Sequence, residues 1–193
     1  LGVIGTGRQS RTQVVAVCAV RPIKRINVFA RTPEHREAYA RSLEKELGIE
    51  TLPAPSAEAC VGDANVVVTI TKSAEPVCRA DWLAPGAHVN AAGANSSNRR
   101  EIDGQTVLRA AVKATDQVEQ AKVEAGEFRD LVAAGKLAWS DIRELGEFVI
   151  GKAKGRRWPA DRLARRAHGD GFHARSDADR RGTRTGGDLR RPA

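Results

Sequence analysis

Aromatic side chains are scarce in this chain: Phe, Trp and Tyr make up 4% of its 193 residues. Recognition of nucleic-acid bases or of sugars relies on aromatic stacking, so this scarcity argues against such a surface. The chain also lacks an apolar run of the roughly 18 residues that a membrane span needs, and its start does not resemble a signal peptide. We therefore predict a cytoplasmic protein that binds neither nucleic acid nor a membrane.

Cysteine is sparse as well, with three residues, Cys18, Cys60 and Cys78, each standing alone in apolar surroundings. Isolated thiols in odd number indicate buried free cysteines rather than disulfides, a redox pair or metal ligands. His168 and His173 have no cysteine near them, so a zinc site there would lack half its ligands. The sequence predicts no bound metal.

The positive charge is unevenly distributed along the chain. The formal net charge is +8, and residues 158–193, with nine Arg, no Lys and five Asp, account for half of it. This segment has almost no apolar periodicity, so it would bury too little surface to offset the entropy lost on ordering. We predict a folded domain over residues 1–157 and a disordered Arg/Gly-rich tail over residues 158–193.

The apolar pattern of residues 1–157 alternates between strand-like runs and helix-like periods. Strands are predicted at 1–4, 25–29, 65–70, 87–90 and 112–114. Helices are predicted at 8–20, from Pro33 to just before Gly48, and near 103–110, 117–125 and 140–149. This order is typical of a parallel sheet with helical crossovers, so the predicted fold class is α/β with a doubly wound, mostly parallel sheet.

A glycine-rich turn follows the first predicted strand, with Gly5, Gly7 and Ser10 in the pattern G-x-G-x-x-S. Gly5 permits a tight turn, Gly7 lets the backbone approach a pyrophosphate, and the small Ser10 lets the next helix pack against the strand. The free amides at the helix start would face the anion. A glycine pair alone can be an ordinary turn, but a strand before it and a helix after it favour a dinucleotide-binding sheet of the Rossmann type.

The end of the second predicted strand indicates which dinucleotide is bound. Ala30 and Arg31 stand where an acidic residue would bind the free 2′-hydroxyl of the adenosine ribose. No carboxylate is present to repel a 2′-phosphate, and the planar guanidinium of Arg31 can stack on adenine or bind phosphate. The sequence favours NADP(H), with NAD(H) as the second choice. The alternative is that Arg31 and Arg36 are simply solvated at a helix start.

Four segments of the chain carry a family resemblance. They begin at Gly5, Thr69, Trp82 and Arg100 and read GTGRQSRTQ, TITKSAEP, WLAPGAHVNAAG and REID. Together, over about residues 1–157, they resemble the ornithine cyclodeaminase/mu-crystallin family. The resemblance implies the NAD(P)-binding domain of a homodimeric oxidoreductase that acts by hydride transfer on a small amino acid or cyclic imine. The alternatives are an ornithine cyclodeaminase, which releases ammonia, and a protein that binds a dinucleotide or another small ligand without turnover.

The resemblance also assigns roles to residues of this chain. It implies that cofactor contacts are made by Gly5, Thr6, Gly7, Arg8, Gln9, Ala30, Arg31, Thr32, Thr71, Asn90, Ala91, Ala92, Gly93 and Arg99. Arg8 and Gln9 would contact the pyrophosphate, and Thr71 would lie beside the nicotinamide. For His88 a structural hydrogen bond is favoured over a general-base role, and residues 116–119 are interpreted as a helix capping box rather than a catalytic acid.

Departures from the family limit the functional prediction. Asn95 stands where similar cyclodeaminases carry an aspartate that serves in proton transfer. An amide does not take up a proton at neutral pH, so Asn95 would orient a substrate or water without acting as a base, which favours hydride transfer. The resemblance leads us to expect that the family's N-terminal substrate and dimerisation domain is missing from this chain, that the parent protein is an enzyme and that this chain alone is inactive. We expect residues 158–193 to result from a shifted reading frame or a truncated gene.

Overall fold

Residues 1–156 are the part of the chain that the structure, a computed structural model, describes. Its central sheet contains β1 (Gly2–Ile4), β2 (Arg25–Phe29), β3 (Glu50–Pro53), β4 (Val66–Thr69) and β5 (His88–Ala91). The spatial order is β3-β2-β1-β4-β5, and all four neighbouring pairs are parallel. The predicted α/β fold with a parallel Rossmann-type sheet is confirmed.

The strand order reverses at β1, which lies at the centre of the sheet. The chain passes from β1 to β2 and β3 on one side and then crosses to β4 and β5 on the other. Ile4 at the end of β1 pairs with Phe29 on β2 and with Thr69 on β4, so the carboxyl ends of these three strands are level. In open parallel sheets, ligands bind in the crevice at such a switch point.

The helices of the described residues are α1 (Arg8–Val20), α2 (Pro33–Leu47), α3 (Ala57–Val61), α4 (Gly104–Arg109), α5 (Val118–Glu124), α6 (Gly126–Ala133) and α7 (Leu145–Val149). The helix predicted at 8–20 is confirmed. So are both ends of α2, because Pro33 opens its first turn and Gly48 ends it with a left-handed φ of 64°. None of the helices within residues 1–156 is long and apolar enough to cross a membrane.

Buried side chains cover both faces of the central sheet. Val3 packs in a cluster with Val14 of α1 and Leu43 of α2. The next residue, Ile4, packs in a second cluster with Cys60 and Val67 on the opposite face. Successive residues of a strand point to opposite faces, so β1 is buried on both sides, as the doubly wound arrangement requires.

Two elements of the central sheet region were not predicted from the sequence. β3 contains only one buried residue, Thr51, and its strand character comes from pairing with Ile26 of β2 rather than from an apolar run. α3 is only five residues long, too short for a helical period to be visible, although its start is capped by Ser56, whose Oγ accepts a hydrogen bond from the Ala59 backbone N–H.

The helix predicted near 140–149 is wrong over its first half. Residues Ile142–Glu144 form a strand, β7, that pairs in parallel with β6 (Lys113–Thr115), and helix α7 begins only at Leu145. The short strand predicted at 112–114 is found one residue later, as β6 of this separate two-stranded sheet. α6 was not predicted either. Burial of Ile142 against Val107 and Leu131 holds β7 as a strand, a long-range contact that periodicity does not report.

The capping box predicted at residues 116–119 is also wrong. The N-cap of α5 is Gln117, whose side chain makes no capping bond. Instead the Glu144 carboxylate on β7 accepts a hydrogen bond of 2.9 Å from the Val118 backbone N–H, and Asp116 accepts one from the Gln117 N–H. The helix start is therefore satisfied by a side chain brought from a neighbouring strand.

The three cysteines are free thiols. Cys60 and Cys78 are buried as predicted, whereas Cys18 is only partly buried. Burial raises the pKa of Cys60 and of Cys78 to about 12, so neither is a reactive thiolate at neutral pH. The predicted tail, with His168 and His173, lies outside the described residues, and the boundary after residue 157 stays a prediction.

Candidate functional site

The loop between β1 and α1 has one glycine that the fold requires and one that it does not. Gly5 has a φ of +111°, and a Cβ there would stand 2.4 Å from the Ile70 carbonyl oxygen. Gly7 is the N-cap of α1 with a φ of −77°, which any residue adopts, and a Cβ on it would meet nothing within 4 Å. Gly5 therefore builds the turn, while Gly7 leaves open space in front of the first turn of α1.

Ser10 fixes this loop from behind. It is wholly buried, and its Oγ donates a hydrogen bond of 2.8 Å to the Gly5 carbonyl oxygen. The same Oγ accepts a hydrogen bond of 2.8 Å from the Tyr39 hydroxyl on α2. The close packing predicted for Ser10 is present. The sequence reasoning missed Tyr39, because its position 29 residues away carries no local signal.

A cavity of about 340 Å³ opens where β1, β2 and the loop after β4 meet. Four residues of the predicted cofactor set line it: Gly5, Ala30, Arg31 and Thr71. Ile4 and Phe29 add apolar walls, and the rest of the lining, Lys72, Ser73, Ala74 and Val77, comes from the loop after β4. The last four were not predicted as site residues, although three of them lie in the TITKSAEP segment.

Two positive side chains without partners among the described residues line this cavity, and a third lies on the helix that follows Gly7. Arg31 and Lys72 line it, and Arg8 is exposed on the first turn of α1. Within residues 1–156 none of these three side chains makes a hydrogen bond or an ion pair. Uncompensated cations next to free helix-terminal amides form an environment that attracts phosphate groups.

Arg36 has side-chain contacts that Arg31 lacks within the described part of the chain, although both residues lie soon after the end of β2. The Arg36 guanidinium lies 5.7 Å from the centre of the Phe29 ring, a cation–π contact, and it reaches the Pro55 carbonyl oxygen at 3.4 Å. Arg31 is exposed, and the neighbouring Thr32 makes no side-chain capping bond to α2. Arg36 thus supports the Phe29 wall, which leaves Arg31 and Thr32 as the polar groups at the end of β2.

The ends of β4 and β5 are joined by a buried carboxylate. Glu101 is wholly buried, and its Oε1 accepts a hydrogen bond of 2.5 Å from the Thr71 backbone N–H. Its Oε2 accepts from the Gly93 backbone N–H at 2.5 Å and from the Thr69 Oγ1 at 3.1 Å. Sequence reasoning did not single out Glu101, although it lies in the REID segment, because its partners are distant along the chain.

Gly93 must lie against Thr71 for these hydrogen bonds to form. A Cβ on Gly93 would stand 2.3 Å from the Thr71 carbonyl oxygen and 2.7 Å from the Glu101 carboxyl carbon. β5 leads into this contact, since Ala91 pairs with Thr69 and the Ala92 N–H donates to the Thr69 carbonyl at 2.9 Å. The loops after β4 and β5 therefore touch at the carboxyl edge of the sheet.

Glu127 on α6 supports Glu101 from behind. Its Oε1 accepts a hydrogen bond of 2.7 Å from the Glu101 backbone N–H. Burial raises the pKa of Glu127, and the nearby charge of Glu101 raises it further, against backbone hydrogen bonds that lower it. Two acidic residues thus follow one another behind the loops: Glu127 accepts from the Glu101 backbone N–H, and Glu101 accepts from the backbone N–H groups of the loops.

Several predicted residues lie outside the cavity lining. Gln9 is exposed beside Arg8 on α1. Asn95 and Arg99 contact each other, because Arg99 Nη1 donates to Asn95 Oδ1 at 2.5 Å in the loop after β5. Asn90 Oδ1 lies 2.9 Å from the His88 Nε2, so the structural hydrogen bond expected of His88 is confirmed. Within residues 1–156 no three His, Cys, Asp or Glu side chains converge as a metal site.

The comparisons with known proteins agree with this architecture. The family model described as ornithine cyclodeaminase/mu-crystallin matches residues 1–162. A putative dehydrogenase of Rhizobium meliloti is 36% identical over 155 residues, which are 80% of this chain and 46% of the relative.

Two similar solved structures hold a nicotinamide dinucleotide. The Δ1-pyrroline-2-carboxylate reductase of Thermococcus litoralis, in complex with NADH and L-proline, has a TM-score of 0.78 at 33% identity, over 81% of this chain and 49% of that one. The iminosuccinate reductase of Paracoccus denitrificans, in complex with NAD⁺, has a TM-score of 0.73 at 28% identity, over 80% and 47%. The chain spans about half the length of the relatives it matches.

Proposed function

The chain belongs to the ornithine cyclodeaminase/mu-crystallin family, and from this membership we propose that its domain binds a nicotinamide dinucleotide at the carboxyl edge of the sheet. The observation that carries the proposal is the open space at Gly7, directly before α1 and next to a cavity with unpartnered cations. A pyrophosphate fits this arrangement, because the helix-start amides donate hydrogen bonds and the nearby charges are positive.

The proposed layout follows the three strand ends. The amides of residues 6–9, with the side chains of Arg8 and Gln9, hold the pyrophosphate. Ala30, Arg31 and Thr32 surround the adenosine ribose, which lies over the Phe29 end of the cavity. Thr71 and residues 90–93 face the nicotinamide, and Arg99 lies in the loop after β5, where it donates a hydrogen bond to Asn95. When bound, the dinucleotide supplies or accepts the hydride, and the residues named here hold it in place.

For the cofactor we propose NADP(H), with NAD(H) second. The similar structures in complex with NADH and NAD⁺ support a nicotinamide dinucleotide in general. The preference for the 2′-phosphate rests on Arg31, which is exposed, has no partner within residues 1–156 and has no acidic neighbour at Ala30. A guanidinium binds phosphate through two parallel hydrogen bonds, which favours the phosphorylated ribose.

For the complete protein we propose a reductase of small cyclic imines or imino acids. The similar enzymes act on pyrroline-2-carboxylate and on iminosuccinate, both of which present a carbon–nitrogen double bond. Hydride would add to the imine carbon and a proton to the nitrogen. The homodimeric parent and its cytoplasmic location stay predictions.

Asn95 separates this proposal from the cyclodeaminase alternative. Its Oδ1 accepts a hydrogen bond from Arg99, so the amide is oriented and its nitrogen is left as a donor. A donor can position a substrate but cannot withdraw a proton from it, which cyclodeamination requires. A dinucleotide-binding protein without turnover is the remaining alternative, since every contact described above serves binding.

The test uses the complete parent protein with reduced dinucleotide and pyrroline-2-carboxylate, and separately with oxidised dinucleotide and ornithine. A reductase consumes the absorbance of the reduced nicotinamide when the imine is added. Ammonia released from ornithine without net change in that absorbance would identify a cyclodeaminase instead. Dinucleotide binding without either reaction would identify a binding protein.

A further inference from the structure

One buried carboxylate connects the loops after β4 and β5 through hydrogen bonds. The two oxygens of Glu101 accept hydrogen bonds from the Thr71 N–H, the Gly93 N–H and the Thr69 hydroxyl. All three partners are donors, which suits an acceptor-only carboxylate. Thr69 ends β4, Thr71 lies in the loop after it, and Gly93 follows β5.

The backbone amides that Glu101 binds would otherwise be unsatisfied. A sheltered N–H without an acceptor is destabilising, so the two loops and the carboxylate are coupled through these partly buried amides. The Glu101 backbone is itself held by Glu127 through a hydrogen bond of 2.7 Å. Glu101 is therefore held by hydrogen bonds at its backbone and at both carboxylate oxygens.

The other half of the edge is built without Glu101. Gly5 is held by Ser10 and by the Phe29 carbonyl oxygen, which accepts its N–H at 2.9 Å. Arg31 follows β2 on the far side of β1 from β5. A change at Glu101 should consequently alter one half of the proposed cleft and leave the phosphate loop and the adenosine end in place.

We propose that Glu101 is a positioning residue that sets the gap between Thr71 and Gly93 and so orients the nicotinamide ring of the bound cofactor. The inference rests on the proposed dinucleotide function and adds to it a group that does not touch the cofactor. We therefore expect a change at Glu101 to weaken the binding of ligands that contain nicotinamide and to leave unchanged the affinity for ligands that end at the second ribose.

The test compares NADH with ADP-ribose, which shares the adenosine and the pyrophosphate but lacks nicotinamide. Glu101→Gln keeps the size of the side chain but turns an amide NH₂ towards a backbone N–H, because one of the two oxygens becomes a donor. We expect the dissociation constant for NADH to rise about tenfold or more, because the mismatched hydrogen bond moves the two loops and the nicotinamide loses contacts with them, with ADP-ribose affinity unchanged. The fluorescence of bound NADH should also move towards that of the free dinucleotide.

The matched control is Glu50→Gln, which makes the same chemical change in the exposed Arg25–Glu50 ion pair. Glu50 begins β3 and Arg25 begins β2, at the amino edge of the sheet, so both ligands should bind this variant as they bind the wild type. If Glu101→Gln does not fold, Thr69→Val can replace it, because it removes a single donor to Glu101. This variant should lose affinity for NADH by a smaller factor and keep its affinity for ADP-ribose.

The outcomes distinguish a failure of the proposed dinucleotide binding from a failure of the role proposed for Glu101. Wild-type protein that binds neither ligand would contradict the proposed function, and with it this inference. Wild-type binding of both ligands, with a folded Glu101→Gln variant that loses both equally or loses neither, would overturn the role of Glu101 alone. The same two patterns in Thr69→Val would overturn it if the first variant does not fold.

Discussion

Tyr39 donates a hydrogen bond of 2.8 Å to the Ser10 hydroxyl, and the Ser10 hydroxyl donates a second one, also of 2.8 Å, to the Gly5 carbonyl oxygen. This chain of two bonds ties α2 to the loop before α1. Burial raises the pKa of Tyr39, so its hydroxyl stays protonated and available as the donor. Side chains of the protein itself thus hold the loop in shape.

Tyr39→Phe should lower the free energy of unfolding by about 1 kcal/mol, the value of one partly buried hydrogen bond. The ring and its packing are retained, so the loss reports the hydroxyl alone. Urea denaturation of the variant and the wild type measures it. An unchanged free energy of unfolding would show that the Tyr39–Ser10 bond does not hold the loop.

Cofactor choice should depend on Arg31. We expect NADPH to bind about tenfold more tightly than NADH, because a charge-assisted contact to the 2′-phosphate is worth roughly 1.5–3 kcal/mol. Ala30→Asp should reverse the preference by repelling the phosphate and accepting the free hydroxyl. Calorimetric titration with both dinucleotides decides this, and equal affinities in the wild type would count against the NADP(H) proposal.

Glu127 should make stability depend on pH in a defined direction. A folded-state pKa above the unfolded value means that the folded protein binds the proton more tightly. Its contribution to stability is complete below the usual glutamate pKa of 4.5 and is lost as the pH rises through the raised value. The free energy of unfolding of the wild type, relative to Glu127→Gln, should therefore fall over that window in denaturation series. A difference that is constant with pH, or that rises, would contradict the assignment.

The 193-residue chain by itself should show no turnover. Hydride transfer needs the substrate carbon held close to the nicotinamide, and we propose that the groups holding the substrate carboxylate lie outside the residues described here. The assay offers NADPH and NADH with pyruvate plus ammonia and with cyclic ketimine acids, and NADP⁺ and NAD⁺ with alanine and with ornithine. Turnover that disappears on Asn95→Ala would show that this chain carries its own substrate site.

The sequence predicted those parts of the fold whose signals are local. Gly5 is needed for the turn before α1, and Pro33 and Gly48 mark the two ends of α2 within the chain itself. β3 and β7 were missed because their residues become strands through pairing with distant segments. The start of α5 was misinterpreted for a related reason, since Glu144 reaches it from another element and replaces the expected cap.

The candidate site divides in the same way. Gly5, Ala30, Arg31 and Thr71 were predicted from motifs, and the structure brings them to one cavity. Glu101 and Tyr39 were not predicted, because each acts on residues 8 to 32 positions away, through hydrogen bonds that only the folded chain creates. Buried polar groups that hold loops in place leave no periodic pattern in a sequence.

Gly7→Val tests the central claim that a dinucleotide binds at the loop before α1. The backbone at Gly7 accepts any residue and a Cβ there meets nothing within 4 Å, so the fold should survive while the new side chain fills the space proposed for the pyrophosphate. Gly146→Val is the matched control, because Gly146 also has open space around it and lies on α7. We predict that calorimetric titration with NADPH shows binding to the wild type and to Gly146→Val, and a loss of at least about tenfold in affinity for Gly7→Val at an unchanged melting temperature. Wild-type affinity in a normally folded Gly7→Val variant would contradict the dinucleotide site.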